Sequence, residues 1–307
     1  MKLPNFKLLT VAAFFAIYVI WGSTYLFNKI AVSEIPPLYL AAIRFSTAGI
    51  LIFIIAIILR KPLHITRKQL VNSVIAGFLF LVYGNGVFVW ALKYVDSGFA
   101  ALLASTQPLF VLLLLRLIDG KTMQRKSIIG VSLGILGMYL LVSQHDITAS
   151  EGSLLGIFMI LTCVLSWSYG SVFVSKATLP KNFFVSTGYQ MIVAGVLLFS
   201  GSYFTGEVWS SPTVWSSKVQ WSMLFLILFG SIVAFTAFNY LLKEISAEKV
   251  ATSAYVNPVI ALFLGWFFLE EYLTIQSIIA AGILLTGVYF INARRRVSTI
   301  KQVQKPH

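Results

Sequence analysis

The sequence predicts an all-α membrane protein with ten transmembrane helices, arranged as two inverted five-helix repeats around a central cavity. Three observations support this fold class. The chain has 307 residues, of which 58% are hydrophobic and only 11% are charged, whereas soluble domains carry about a quarter charged residues. Ten apolar runs are long enough to cross a bilayer. Finally, the second half of the chain repeats the first.

The internal repeat is clearest around two prolines, because Ala101 recurs as Ala251 and Pro108 recurs as Pro258, a spacing of 150 residues. A repeat with an odd number of crossings must enter the membrane from the opposite side the second time. Inverted repeats of this kind are typical of secondary transporters with a site between the halves. The predicted units are a first repeat at 1–147, a second repeat at 148–296 and a basic cytoplasmic tail at 297–307.

Each half of the chain contains five apolar windows, and these define the predicted spans. The windows are near residues 8–31, 37–59, 69–92, 97–118, 127–144, 153–176, 182–204, 218–242, 248–269 and 275–293. With the N-terminus inside, 19 of the 23 lysines and arginines lie on the cytoplasmic side. Only Lys29, Lys93 and Lys218 lie outside, and Arg44 lies within a span. The positive-inside rule therefore predicts that both termini are cytoplasmic, in a multi-pass protein of the cell membrane.

Composition also excludes other classes of function. The net charge of +13 follows the loops and forms no patch with interleaved aromatic residues, so no nucleic-acid partner is expected. Cys163 is the only cysteine and rules out a disulfide framework. His64, His145 and His307 fall in loops and in the tail, and no catalytic motif is present. We therefore expect no metal, no cofactor and no enzymatic activity.

Several segments carry a resemblance to a known family. They are WGSTYLFNKIAVSEIPPLYLAAIRF at Trp21–Phe45, GNGVFVWALKYVDSGFAALLASTQPLF at Gly84–Phe110 and VNPVIALFLGWFFLEEYLT at Val256–Thr274. With the paired glycine-rich fifth and tenth helices, the chain resembles EamA-type members of the drug/metabolite transporter superfamily. The resemblance implies two inverted five-helix repeats around a cavity and transport of small organic solutes, often outward. Gln190 aligns with Arg44, so a charge-based site would be one-sided.

Two prolines near the middle of the fourth and ninth spans point to the site. Pro108 and Pro258 each remove a backbone donor and kink their helix, and each follows an amide, Gln107 or Asn257. Symmetric interruptions with amides at the midplane are typical of a transport site. The alternative is that the prolines only shape the bundle, while the amides bond to neighbouring helices.

Arg44 is the only charge well inside a predicted span, roughly 10 Å from its outer end. No aspartate or glutamate occupies the middle of any span, so neither a buried carboxylate partner nor a carboxylate proton relay is predicted. Arg44 either receives an anionic group of a substrate, bonds to amides such as Asn85, or extends to the outer headgroups. The structural alternatives are favoured over the substrate contact.

Tryptophan and tyrosine residues, which are apolar rings with one polar group, recur away from the membrane interfaces. They predict a cavity with apolar walls and few hydrogen-bonding groups. Core packing is the alternative for each of them. The predicted wall residues are Trp21, Tyr25, Tyr83, Trp90, Trp167, Tyr169 and Tyr255, and the predicted polar residues are Ser23, Thr24, Arg44, Asn85, Gln107 and Asn257. Trp209, Trp215 and Trp221 lie near span ends and are predicted to be interfacial anchors.

Gly130 and Gly134 form a GxxxG motif in the fifth span, with Gly137 one turn further on. Close packing within the chain is favoured over dimerisation, so the expected state is a monomer or a weak homodimer. The overall prediction is a secondary transporter of amino-acid-like, aromatic or amphipathic metabolites or drugs, an exporter in the lipid bilayer. A channel-like or facilitative pore, or a structural membrane protein, is the alternative.

Reporter fusions test the predicted topology. A fusion after Arg296 and another near Arg67 should report a cytoplasmic location, whereas one near Ser211 should report an external location. A cytoplasmic signal at Ser211 would contradict the orientation.

Overall fold

The computed structural model describes residues 8–120, 125–143, 151–245 and 247–292. The described chain is helical throughout its regular structure, with no strand among these residues. The predicted tail at 297–307 lies outside the described residues.

Seven helical segments are long and apolar enough to cross a membrane, and three further helices contain shorter apolar stretches among the described residues. The seven are α1 Leu8–Val32, α2 Pro37–Ile58, α3 Arg67–Ala91, α4 Ser97–Ile118, α6 Ser153–Lys176, α7 Phe183–Phe204 and α8 Ser217–Glu244. The shorter ones are α5 Arg125–Val142, the C-terminal part of α9 at Asn257–Leu269, and α10 Ile275–Asn292. The ten helical regions fall where the ten apolar windows predicted them. Within the described residues, however, seven of these regions are long and apolar enough for a full span.

Local sequence explains where several helices begin. Thr66 and Gln69 form a capping box before α3, in which each side chain accepts a hydrogen bond from the other residue's backbone. Asn182 caps α7 and Ser216 caps α8 through their side-chain oxygens. The first N–H groups of α2 are instead satisfied from the other half of the chain, because Glu207 accepts hydrogen bonds from Leu38 and Tyr39.

The helices pack in a pattern that joins the two halves. Helix α2 packs along α7, and α5 packs along α10. Helix α1 contacts α8 and α9, while α6 makes the corresponding contacts with α3 and α4. If each helix is replaced by the equivalent helix of the other half, five places earlier or later in the chain, the same set of helix pairs is obtained. The buried apolar residues form two large clusters, both of which include residues from the two halves.

Five helices depart from regular α geometry near the middle of the bundle. Helix α4 breaks at residues 105–106, directly before Gln107 and Pro108. Helix α9 runs as Ala247–Val250, then as a 3₁₀ segment at Ala251–Tyr255, and resumes directly before Pro258. The remaining departures are π-helical segments at Ala16–Ile20 in α1, Phe78–Val87 in α3 and Leu226–Val233 in α8. Irregularities of this type occur often at functional sites.

The glycine pattern of α5 packs within the chain. A Cβ added to Gly287 of α10 would lie 2.8 Å from the carbonyl oxygen of Gly130 and 3.0 Å from the nitrogen of Gly134. A Cβ on Gly137 would lie 2.8 Å from Leu284. The GxxxG face is therefore occupied by α10, as the packing interpretation predicted.

Trp215 was predicted to be an interfacial anchor. Its side chain is instead buried and donates a hydrogen bond to Ser210 Oγ at 2.7 Å.

Substitution of Gly287 by leucine should destabilise the protein, because the new side chain would meet backbone atoms of α5 that cannot move aside. We expect a loss of about 1–3 kcal/mol or more, measured as a lower thermal midpoint in detergent. Gly282→Leu is the matched control, since Gly282 lies on the same helix and has nothing within 4 Å of an added Cβ. Equal stability of the two variants would contradict the close α5–α10 packing.

Candidate functional site

A cavity of about 820 Å³, counting the space at its mouth, lies where the helix interruptions meet. Seven helices from both halves contribute to its wall. The lining residues are Trp21, Thr24, Tyr25, Asn28, Arg44, Phe45, Leu81, Gly84, Asn85, Phe88, Ala104, Gln107, Cys163, Val164, Trp167, Gly230, Phe235, Ser253 and Asn257.

Arg44 is the one charged residue among these lining residues, and its side chain is held by neutral groups. Its Nε donates to Ser231 Oγ at 2.8 Å. Its Nη1 donates to Asn28 Oδ1 at 3.2 Å and to Asn85 Oδ1 at 3.4 Å. Arg44 is only 3% exposed. The interaction with Asn85 matches one predicted role, whereas the alternative in which Arg44 extends to the headgroups is wrong, because the guanidinium is bound inside the bundle.

The aligned residue of the second half, Gln190, occupies a similar polar cluster without charge. Its Nε2 donates to Ser186 Oγ at 3.1 Å and to Asn239 Oδ1 at 3.5 Å, and Asn239 in turn donates to Thr187. Gln190 is fully buried and is not among the residues of the cavity wall. Of these two aligned residues, the charged one, Arg44, therefore lines the cavity and the neutral one, Gln190, does not.

Aromatic rings form the apolar wall. The rings of Trp21 and Trp167 meet edge to face, with centroids 5.5 Å apart and an interplanar angle of 82°. Phe80 and Phe238 pack behind Trp167 at 4.9 and 5.6 Å. This support from the core fixes the orientation of both indoles. Close approach of Trp167 to α3 requires Gly84, because a Cβ there would lie 2.9 Å from the indole ring.

Side chains from one half satisfy backbone carbonyl groups in the π-helical segments of the other. Trp21 Nε1 donates to the carbonyl of Gly230 in α8 at 3.1 Å. In the opposite direction, Ser166 Oγ donates to Leu79 in α3 at 2.8 Å, and Cys163 Sγ donates to Tyr83 at 3.3 Å. Each of these carbonyl groups lies in a segment where the regular helix pattern is lost. Hydrogen bonds to the interrupted segments thus connect the two halves around the cavity.

The two predicted midplane amides both line the cavity but have different surroundings. Asn257, oriented with its Nδ2 toward α1, donates to the carbonyls of Tyr18 at 2.8 Å and Ile17 at 3.0 Å. It therefore joins the broken part of α9 to the π-helical segment of α1. The Gln107 side chain makes no hydrogen bond to the residues that the structure describes, so its amide is available to a ligand.

Eight of the thirteen predicted binding residues line this cavity. They are Trp21, Thr24, Tyr25, Arg44, Asn85, Gln107, Trp167 and Asn257. Ser23, Tyr83, Trp90 and Tyr169 lie outside the wall. Ser23 bonds to Val19 of its own helix, and Tyr169 is 44% exposed on the outer surface of α6. The backbone of Tyr255 belongs to the 3₁₀ segment of α9, and its side chain lies outside the described residues.

Helical geometry explains two of these differences. Residues two positions apart on a helix point to different sides, so Ser23 and Tyr169 turn away from the cavity that Trp21 and Trp167 face. The same periodicity identifies a residue that the prediction missed, Asn28, which lies seven positions after Trp21 and on the same face. The prediction also missed Ser231, Ser253 and Phe235. Ser231 and Ser253 lie where α8 and α9 are irregular, so helical periodicity did not point to them. Phe235 lies just after the irregular part of α8.

A charged cluster joins four helices at the predicted outer end of the bundle. Lys29 Nζ donates to the carbonyls of Leu92 and Val95 at 2.8 and 2.7 Å and lies 4.0 Å from Asp96. Glu271 accepts hydrogen bonds from the first N–H groups of α4, Ser97 at 2.8 Å and Gly98 at 2.9 Å.

We call Lys29, Asp96 and Glu271 the outer latch. Partial burial of the Asp96 side chain, which is 54% exposed, and the Glu271 carboxylate raise the pKa of Asp96 above its usual value, and Lys29 opposes this shift. Asp96 therefore loses its negative charge at a higher pH than an ordinary aspartate, which would weaken its attraction to Lys29.

Comparison with known proteins identifies the class. The chain is 35% identical to YedA of Escherichia coli, which is described as an uncharacterized inner membrane transporter. The match spans 295 residues and covers 96% of this chain and 94% of that protein. The uncharacterized transporter YoaV of Bacillus subtilis is 27% identical, covering 92% and 97%. A probable amino-acid metabolite efflux pump of Salmonella typhimurium is 24% identical, covering 89% and 91%.

A solved crystal structure superimposes with a TM-score of 0.68 at 17% identity, over 92% of this chain and 96% of that one, and so shares the fold. Residues 8–143 and 154–293 match the EamA-like transporter family as two segments. The chain is thus a multi-pass membrane transporter and not an enzyme, as its sequence predicted. It belongs to the EamA-like transporter family.

Proposed function

We propose that the chain is a secondary transporter that exports small organic solutes by alternating access around the central cavity. The observation that carries this proposal is the position of the cavity, which lies between the two halves at the interruptions of α1, α3, α4, α8 and α9. Interrupted helices beside a central site are the usual arrangement in secondary transporters. The proposed binding residues are the eight predicted residues of the cavity wall, together with Asn28.

The proposed architecture is an inverted repeat of five helices, with units at 1–147 and 148–296. Its support is the packing pattern, which exchange of the two halves leaves unchanged, and the separate family matches at 8–143 and 154–293. The paired departures from α geometry in α3 and α8, and in α4 and α9, agree with it. Rocking of one half against the other would open the cavity to each side in turn.

The description of one relative supports the proposed direction of transport and the proposed class of solute. The Salmonella protein is described as a probable amino-acid metabolite efflux pump, and we extend outward transport of such metabolites to this chain. The aromatic wall around Trp21 and Trp167 would hold an aromatic or apolar side group.

Solute counterflow in proteoliposomes tests this function. Purified protein would be tested with amino acids, nucleosides and cationic drugs, at two pH values and with and without a membrane potential. A carrier should saturate and accelerate exchange of labelled solute against unlabelled solute on the other side. Unsaturable flux without counterflow would indicate a pore, and absence of any flux would contradict transport.

The different surroundings of the two midplane amides predict different kinetic effects. Gln107→Ala should raise the half-saturation constant, because it removes an amide that is available to the solute. Asn257→Ala should mainly lower the maximal rate and the thermal midpoint, because it leaves the carbonyls of Ile17 and Tyr18 without their donor. The measurement is transport kinetics with surface expression checked for each variant. Parent-like kinetics in both variants would contradict the assignment.

The outer latch predicts a change in access to the cavity. Glu271→Gln removes the charge that holds the first turn of α4, so the protein should spend more time open to the outside. Cys163, the single cysteine, lines the cavity and is 2% exposed. We expect several-fold faster modification of Cys163 by a membrane-impermeant methanethiosulfonate reagent added outside. Glu270→Gln is the control, since Glu270 is adjacent and exposed. Unchanged modification in Glu271→Gln would contradict a gating role.

A further inference from the structure

Arg44 presents an unbalanced charge to the cavity. Its described hydrogen-bond acceptors, Ser231, Asn28 and Asn85, are all neutral, and no aspartate or glutamate occurs among the cavity-lining residues. Burying an ion without a counterion costs several kcal/mol. A lone buried charge of this kind, inside a transmembrane helix, marks a ligand pathway more often than a packing element.

The three bonds fix the guanidinium but leave part of it unused. Nε and Nη1 are the bonded nitrogens. Nη2 lies 3.1 Å from the point that a Cβ on Gly230 would occupy and makes no hydrogen bond to any residue in the described part of the chain. The absence of a side chain at Gly230 therefore keeps this edge of the guanidinium open. Nε has one N–H group and Nη1 has two, and all three are used, so the two N–H groups of Nη2 remain to donate charge-assisted hydrogen bonds to a carboxylate.

The second half of the chain shows that the polar cluster does not require a cation. Gln190 occupies the aligned position with neutral partners Ser186 and Asn239. A glutamine is thus sufficient to hold α7 in the equivalent packing against α8. The positive charge of Arg44 consequently needs an explanation other than the architecture of the bundle.

We infer that the transported solute carries a carboxylate that binds the open edge of Arg44, while its apolar or aromatic body lies against Trp21 and Trp167. This inference rests on the proposed transport function and names the class of solute. A cationic amphiphile would meet the positive charge of Arg44 with no carboxylate in the described lining to offset it. Tyr25 and Gln107 supply neutral hydrogen-bonding groups near the same space. The site therefore selects organic acids over neutral and cationic analogues.

Binding to the purified full-length protein in detergent tests this selection. Three probes of the same shape and different charge are hydrocinnamate, hydrocinnamide and phenylpropylamine, each titrated by calorimetry. The parent should bind hydrocinnamate at least about tenfold more tightly than the amide, as expected for a charge-assisted pair. The amine should bind most weakly. Tighter or equal binding of the amide or amine, or no binding of any probe, would overturn the inference.

Variants of Arg44 locate the preference. Arg44→Gln reproduces the residue of the aligned position and should abolish the preference for the acid while keeping the thermal midpoint. Arg44→Lys should keep only part of it, since the ammonium group of lysine cannot replace the bonds to Asn28, Asn85 and Ser231 and also donate to the carboxylate. If Arg44→Gln does not fold, Gly230→Ala provides a second test, because its methyl group would stand beside Nη2 and against Thr24 Cγ2 with the charge intact. It should weaken acid binding more than amide binding. Its thermal midpoint is measured as well. An unchanged preference in the folded variants would overturn the inference.

Counterflow separates this inference from the proposed function. Exchange of amines or neutral solutes without any exchange of acids would overturn the carboxylate inference and leave transport intact. Absence of all exchange, with acid binding still dependent on Arg44, would overturn the transport function and support the binding site.

Discussion

The constraint on which this structure depends is that a helix interrupted inside a membrane exposes backbone groups that water cannot satisfy. The chain interrupts five helices around one cavity and meets this constraint with donors from the opposite half. Trp21 reaches Gly230 in α8, Ser166 reaches Leu79 in α3, and Asn257 reaches Ile17 and Tyr18 in α1. These bonds hold the two halves in register, and they place an indole and an amide on the cavity wall.

The same arrangement holds the side chains of the site. The indoles of Trp21 and Trp167 are held by the aromatic core of Phe80 and Phe238, and Arg44 is fixed by three hydrogen bonds. Two of the acceptors of Arg44 lie in interrupted segments, Asn85 in α3 and Ser231 in α8. The site is therefore preorganised by contacts that join the two halves, and these contacts would have to change if the halves rock.

Polar contacts join separate parts of the chain at both ends of the bundle. At the predicted outer end, Glu207 and Glu271 each satisfy the start of a helix from another part of the chain, and Lys29 bonds to the end of α3. Carboxylates bound to helix N-termini gain from both hydrogen bonding and the helix dipole. At the opposite end, Lys243 of α8 and Asn72 of α3 donate to the carbonyls of Pro180 and Thr178. In the described part of the chain, carboxylates bound to helix N-termini thus strengthen the predicted outer end beyond apolar packing alone.

The sequence by itself determined the positions of the helices, because apolar runs of spanning length leave few alternatives in a bilayer. It also identified the repeat, the prolines at the breaks of α4 and α9, and Arg44 as the charge that required a role. The π-helical segments of α1, α3 and α8 were not predicted, since no proline marks them in the sequence.

Only the tertiary structure decided which side of each helix faces the cavity. Trp21 and Asn28 face it while Ser23 does not, and Trp167 faces it while Tyr169 is exposed on the opposite side. Composition cannot distinguish these positions, because both sides of a membrane helix are apolar and the π segments shift the helical phase. The role of Arg44 was decided in the same way. Its partners Asn28, Asn85 and Ser231 come from three helices that only the folded bundle brings together.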